Sequence, residues 1–475
     1  MTTGLFRRDR TPRMRPLAVA LTALCTAASA WADATPRLTD DASVRELARR
    51  SGVTLLAPPP PHATALVTNC DDSGPGSLRD ALEAAVTNDA VDLTQLTCSR
   101  ISLTTGAIVF GANNVAIQGP GRNELLIDGG LGGGVLYHLG FGTLIVEDVS
   151  IGYGFKYDPD NQIGGSCVHS GGNVALANVD ISVCNTVSGG SYSALGGAVY
   201  AANQIQIVTS SITTSEAKAN GTGYASGGGL YAVNGITSIY STVANNVALG
   251  EGGTPSYGGG IFSRGSALIL GSEISGNQAL RMGGIAFVDY HDSPVTVANS
   301  TISGNRATRF GGMFALTSLS LYNDTIAFNT SHEWTDGTHY FAAGVHIMVP
   351  GEMDSTIIAN NVNDGAPAQY PTVDLTGEPG SGFNGGHNNV MLCGAPCPND
   401  TSHEDPGLHP LSDNGGLTRT HVPTPGVWDT FGGTNLLGLP FDQRGPGFPR
   451  QSAGDFPEIG ALQINSDIIF ANGFN

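Results

Sequence analysis

Three stretches gather acids, histidines and aromatic rings closely enough to do chemistry. The richest is Ser331-His332-Glu333-Trp334-Thr335-Asp336-Gly337-Thr338-His339-Tyr340; the second is Asp289-Tyr290-His291-Asp292; the third, Tyr153 to Gln162, holds Phe155, Lys156, Tyr157, Asp158 and Asp160. A Trp or Tyr ring gives a sugar an apolar face to lie on, and nearby carboxylates and imidazoles take its hydroxyls. Cleaving a glycosidic bond asks for more: two carboxylates about 5–10 Å apart, or carboxylates holding Ca²⁺ beside a base. The expectation is binding by Trp334, His332, Glu333, Asp336, Tyr340 and Tyr290, with no catalytic residue. The alternative is a polysaccharide lyase or glycoside hydrolase working through Asp289, Asp292 and Asp336. A lyase also wants an Arg or Lys base beside its acids; the chain has only two lysines, Lys156 and Lys218, and Arg281, Arg306 and Arg309 lie outside these loops in sequence. No metal site and no cofactor are expected, and Ca²⁺ has no ligand set to support it.

The elements that must carry these loops repeat. Ile151, Ile181, Ile212, Val243, Ile274, Ile302, Ile326 and Ile357 form a column with steps of 30, 31, 31, 31, 28, 24 and 31 residues. Asn246, Asn277, Asn305, Asn329 and Asn360 stand three residues after the last five anchors, and Ser210, Ser241, Ser272, Ser300 and Ser355 two before theirs, with Asp324 as the exception. Between these phrases, glycine pairs lead into apolar runs at Gly196-Gly197, Gly228-Gly229, Gly259-Gly260, Gly283-Gly284 and Gly311-Gly312. Each unit has room for three short strands and three turns, and its β-branched runs are broken by Gly and Asn. The pattern predicts an all-β chain, a single-stranded right-handed parallel β-helix of the pectate-lyase-like solenoid class. In that fold the asparagines form an interior ladder, Tyr200, Tyr231, Phe262 and Phe287 an aromatic stack, the glycine pairs turns of positive φ, and His138, His169 and His346 members of stacks. Function is then expected where the period breaks, at the 24-residue step to Ile326 and the loop after it.

Composition fits an exported array. Among 475 residues 67 are Gly, only 13 % are charged, and the net charge is −19. Residues 1–32 read as a signal peptide: Arg7, Arg8, Arg10, Arg13 and Arg15, then an apolar run from Leu17 to Ala28, then Ala30-Trp31-Ala32. Arg7-Arg8 leaves Sec and twin-arginine export both open. Removing five arginines and Asp9 makes the remainder more acidic, which disfavours nucleic acid and anionic membrane as partners. No later segment is long and apolar enough to span a bilayer as a helix. The expected location is outside the cell or on the outer surface of a Gram-negative bacterium, the expected partner an extracellular polysaccharide or envelope surface, and the expected state a monomer.

Outside the leader stand Cys70, Cys98, Cys167, Cys184, Cys393 and Cys397, an even number suited to an oxidising compartment, and sequence-local pairing predicts 70–98, 167–184 and 393–397. Residues 33–63 read as a Pro-rich tether with a short polar helix over Asp40 to Arg50. Residues 64–100 read as an N-terminal cap, where Ser77 as N-cap and a stripe of Leu78, Ala81, Leu82 and Ala85 predict one amphipathic helix. The β-helix is assigned to 101–385, an irregular C-terminal cap to 386–464 with an ion-pair cluster of Asp442, Arg444, Asp455 and Glu458, and a tail to 465–475.

The phrase Gly76-Ser77-Leu78-Arg79-Asp80-Ala81 resembles the entry segment of many bacterial β-helix repeat proteins. Gly196-Gly197-Ala198-Val199 and the [Ile/Val]-x-x-Asn phrases resemble the repeats of polymorphic outer-membrane proteins, with Ile or Val in place of Phe. Leu411 to Thr418, Asp442-Gln443-Arg444-Gly445 and Glu458-Ile459-Gly460-Ala461-Leu462 resemble the C-terminal signature of choice-of-anchor Q proteins. Pro425 to Asp429 and Glu458 depart from that signature. The tail Asp467 to Asn475 is similar to C-terminal tags of exported gammaproteobacterial proteins, and a last strand pairing on the solenoid explains it equally well. The resemblance implies a surface-displayed β-helix whose terminal segment carries an anchor.

Overall fold

The computed structural model describes residues 38–57, 59–289, 291, 293–333, 341–366, 373–394, 396–424, 432–450 and 457–464. One coil shows the plan. Asn173–Ala177 belongs to sheet 1, Asp180–Ser182 to sheet 2 and Val199–Ala201 to sheet 3, after which Gln204–Val208 re-enters sheet 1 one layer on. Between sheets 2 and 3 the coil adds Asn185–Ser188 and Ala194–Leu195, which join sheets 4 and 5 and form a shelf. Among the described residues every strand pair is parallel, and sheets 1, 2 and 3 hold 12, 11 and 10 strands. This is a right-handed parallel β-helix. Among the described residues no helix is long and apolar enough to cross a membrane.

The corners are set by single residues in the left-handed region. Between sheets 1 and 2 they are Asp148, Asn178, Thr209, Tyr240, Gly271, Asn299, Asn323, Ser355 and His387, and between sheets 2 and 4 they include Tyr153, Val183, Thr214, Asn245, Gly276, Gly304, Phe328 and Asn360. A left-handed φ is uncommon for a side chain with a β-branch. Its recurrence at Val183, Thr209 and Thr214 shows that stacking, repeated coil after coil, overrides local preference.

The residue after the second corner is buried and builds the ladder. Asn246 donates to Asn277, Asn277 to Asn305, Asn305 to Asn329 and Asn329 to Asn361, each through Nδ2 to Oδ1 at 2.8–3.1 Å. Each Nδ2 also reaches the anchor carbonyl of the preceding coil, so the buried amides are satisfied on both sides. The last rung is Asn361, not Asn360, and Ile326 pairs with Ile358, not Ile357. That coil is one residue longer than its sequence pattern suggests, so Asn360 takes the left-handed corner at φ 59°. The same shift moves the serine column onto Thr356, whose Oγ1 accepts from Asp324 N at 3.3 Å. Asp374 closes the ladder by accepting from Asn361 Nδ2 at 2.8 Å.

Gly196 of the first pair takes the expected left-handed turn at φ 67°, but the later glycine pairs serve the ladder. Gly283, Gly284, Gly311 and Gly312 have ordinary φ. A Cβ on Gly229, Gly260, Gly284, Gly312 or Gly344 would come within 2.8–3.0 Å of its facing ladder amide. Two coils earlier the same two columns hold Cys167 and Cys184, which are bonded to each other. All three disulfides pair as the local spacing predicts.

The ends are dressed differently. Helix α1 spans Ala42–Arg50 with Asp41 as N-cap, and α2 spans Leu78–Ala84 with Ser77 Oγ accepting from Asp80 N at 3.2 Å. Helix α2 closes the first coil, with Leu78 and Leu82 fully buried. The segment read as a tether is docked instead: Val44, Leu47 and Ala48 pack on the outside of sheet 1 against Val208, Leu268, Tyr240 and Tyr322. Gln206 on sheet 1 exchanges two hydrogen bonds with the backbone of Leu56, at 2.8 and 2.9 Å. Helix α1 is thus amphipathic, not polar.

The C-terminal segment also leaves its expected place at the end. It runs back along the corner between sheets 1 and 2, where Gly460 N meets Ser355 O at 2.8 Å, Asn323 Nδ2 meets Thr434 O at 3.0 Å, and Thr418 Oγ1 meets Gly271 O at 3.0 Å. Arg419 grips the buried Glu273 at 2.5–3.1 Å. Of the expected terminal ion pairs, Arg444 holds Asp442 at 2.7 Å, Glu458 lies beside the buried Arg450, and Asp455 is outside the described residues.

Candidate binding site

Sheet 3 turns a column of rings outward. In register along it stand Val109, Tyr137, His169, Tyr200, Tyr231, Phe262, Ala286, Phe314 and His346. Strand spacing of about 4.8 Å suits face-to-face rings. The centroid distances from Tyr137 to Phe262 are 4.2, 4.9, 5.7 and 5.0 Å, with planes within 14° of parallel. Phe287 is not part of this stack. Strand alternation points it inward, fully buried, and Ala286 takes the outward place. His169 and His346 do lie in stacks, and His138 lies against Phe110 at 5.3 Å.

The shelf roofs most of this column. Its inner side is packed with small residues, Ala194, Ala217, Ala219, Ala225, Ala248 and Ala279, so sheets 4 and 5 sit close together. Tyr231 and Phe262 are consequently buried, whereas Tyr137, His169 and Tyr200 are only half-buried. The roof begins with Phe155–Asp158 and Ile163–Gly164, and these have no shelf strand before them. Where the roof starts, a groove of about 480 Å³ opens over Tyr137 and Val109, walled by Lys156, Asp158, Asn161 and Gln162.

Lys156 owes its position to register. Lys156, Thr186, Ala217, Ala248 and Ala279 occupy one column of the shelf. Later coils admit only a small side chain there, but the first coil has an open side, and a long chain fills it. Lys156 Nζ lies 4.0 Å from the Tyr137 ring centroid. Burial lowers the ammonium's pKa to about 8, with Asp158 pulling the other way. Burial likewise takes His169 down to about 4, against a hydrogen bond from its Nδ1 to Gly164 O at 2.8 Å, so the imidazole is neutral near pH 7. Burial raises the Tyr137 phenol, and Asp158 adds to the rise. Asp158 itself is held low, first by the Asp160 backbone N–H at 2.9 Å.

The site expected from the sequence is brought together only in part. His332 Nδ1 meets Asp364 Oδ1 at 2.8 Å, Arg306 Nη2 meets Asp364 Oδ2 at 3.1 Å, and Arg309 Nε meets Glu333 Oε2 at 2.8 Å. Of the arginines that sequence placed outside the loop, Arg309 touches it through Glu333 of the next coil, while Arg306 reaches Asp364, two coils on, which in turn meets His332. Trp334, Asp336, Tyr340, Tyr290 and Asp292 lie outside the described residues. Asp289 is buried and caps its own turn through His291 N at 3.1 Å. It follows the sheet 3 strand Ile285–Phe287, while His332 follows Thr330–Ser331 beyond sheet 2, so the two loops leave different corners.

The groove at Tyr137 was legible as a signal in part. Tyr137, His169 and Tyr200 recur at the coil period, and Lys156 stands one period before Thr186 and two before Ala217. What joins these phrases is the shelf, whose strands are too short to announce themselves. No family model, curated protein or solved structure matches this chain.

Proposed function

We propose that this is an exported, surface-displayed protein that binds extracellular carbohydrate in the groove over Tyr137 without cleaving it. The observation that carries the reading is the half-open ring of Tyr137 at the end of a stack, beside the amides of Asn161 and Gln162, in a groove of about 480 Å³. A flat ring flanked by side-chain amides matches the two faces of a pyranose, and the volume suits one or two sugar units. Asp158 is the one carboxylate among the groove's lining residues, whereas glycoside hydrolysis uses two. The loop at His332 offers acids beside arginines, but its described charges already neutralise one another. Export rests on the leader-like residues 1–32 and on three disulfides, which persist in oxidising compartments. The phrases shared in pattern with choice-of-anchor Q proteins support display on a surface.

Retention of the full, oxidised chain on immobilised neutral and acidic polysaccharides tests this. The expected result is retention by at least one glycan, weakened tenfold or more by Tyr137→Ala and unchanged by Trp334→Ala. Retention by none of them, or retention indifferent to Tyr137, overturns the reading. Release of new reducing or unsaturated ends would put a hydrolase or lyase in its place.

A further inference from the structure

Resting on the reading above, we infer that the groove selects an acidic sugar, a pyranose bearing a carboxylate or sulfate, with that anion seated on Lys156. The chain spends one of its two lysines here, on a molecule of net charge −19. Among the described residues no carboxylate comes within 4.0 Å of Lys156 Nζ, and its one short contact is the Tyr137 ring at 4.0 Å. A ring face attracts the cation but accepts none of its three N–H groups in the way an anion does. Elsewhere on the surface, cations are taken up locally: Arg100 by Asp128 at 2.7 Å, Arg306 by Asp364 at 3.1 Å and Arg309 by Glu333 at 2.8 Å. Lys218, Arg264 and Arg281, like Lys156, have no ion pair among the described residues, but Lys156 is half-buried and lines the groove beside Tyr137.

The floor fixes what else the ligand carries. Val109 is 46 % exposed beside the half-buried Tyr137, giving an apolar strip for one face of a ring. Asn161 and Gln162 also line the groove, Asn161 Nδ2 donating to Asp158 at 3.1 and 3.2 Å, and the Asp158 carboxylate is an acceptor for hydroxyl protons. A free inorganic anion uses only the ammonium, whereas a sugar acid uses floor, amides and ammonium together. Because the rest of the chain is acidic, selectivity must come from this short contact and not from long-range attraction.

The test compares retention on a uronate polymer with its carboxyl-reduced form, and on a sulfated galactan with its desulfated form, for the intact chain and for Lys156→Met and Lys156→Arg. Expected is preference for one charged polymer over its uncharged counterpart by roughly tenfold, lost in Lys156→Met, largely kept in Lys156→Arg, with the thermal midpoint unchanged in both. The pair that shows the preference identifies the anion as carboxylate or sulfate. Tyr137-dependent retention with no charged preference, or a preference that survives Lys156→Met, overturns the inference and leaves carbohydrate binding standing. If no polymer of either kind is retained, both fall.

Discussion

A Cβ placed on Gly344 would lie 2.9 Å from Asn361 Nδ2, and the same clash recurs between Gly312 and Asn329 and between Gly284 and Asn305. Glycine and asparagine are therefore one unit, chosen together. Gly312→Ala should cost about 1–3 kcal/mol through overpacking. Asn305→Ala should cost about 3 kcal/mol, because it leaves the buried Asn277 backbone N–H without its acceptor, removes one of the two bonds of Asn277 Nδ2 and takes the Asn305 amide from the Ile274 carbonyl. Urea unfolding of both variants checks the order. A loss under about 0.5 kcal/mol for Asn305→Ala would show the ladder to be ornamental.

Cys167 and Cys184 stand in the columns that later hold glycine and asparagine, so the disulfide substitutes for a rung. Replacing both cysteines by Ala should remove about 3 kcal/mol, the chain-entropy value for a loop near this length. Cys167→Gly with Cys184→Asn should recover about 1 kcal/mol of that through a new hydrogen bond from the side-chain amide to the next coil. Thermal unfolding under oxidising conditions would rank wild type, Gly/Asn pair and Ala/Ala pair in that order. Equal midpoints for the two double variants would break the equivalence.

Helix α1 is held by an apolar stripe, with Leu47 4 % and Val44 4 % exposed. Leu47→Ala should weaken docking by about 2–4 kcal/mol while leaving the β-helix intact. Limited proteolysis should then cut between residues 51 and 63 many times faster, with little change in the main unfolding midpoint. Simultaneous loss of both would mean that α1 belongs to the cooperative core.

Burial raises Glu458 to about 7 from an ordinary 4.5, with the Ile464 backbone N–H and Arg450 opposing, and burial raises Asp374 to about 6 from 3.8. A carboxyl whose folded pKa is raised favours folding most below its unfolded value, and that contribution is lost as pH rises through the folded value. Stability should therefore fall from about pH 4.5 to about pH 7 on account of Glu458, by up to about 3 kcal/mol. Glu458→Gln should flatten that slope and raise stability at pH 8. A variant with the wild-type slope would assign the pH dependence elsewhere.

The sequence made the coil legible because period and residue type agree over many layers: Ile212, Val243 and Ile274 do stack, and Asn246 to Asn329 do form a ladder. It misplaced Ile357, Ser355 and Asn360 by one residue, since an isoleucine pair and an asparagine pair leave the register open there and only the extra corner residue decides it. Phe287 falls outside the expected column for a related reason: the strand after Gly284 alternates, and an aromatic residue type alone does not say which face it takes. The docked segments were illegible because their partners lie far away in sequence, Leu56 with Gln206 and Arg419 with Glu273. Lys156 was visible as a loop cation, but its environment depends on a neighbouring coil that stops short.

The shelf consists of surplus length. Coils stepping by 30 or 31 residues carry it, while in the 24-residue coil from Ile302 to Ile326 only isolated bridges at Arg306 and Phe310 remain. Insertions and deletions there change the roof over the ring column without touching the ladder or the three long sheets. Coil length can thus be edited to reshape the outward face, leaving the part that must stay in register untouched.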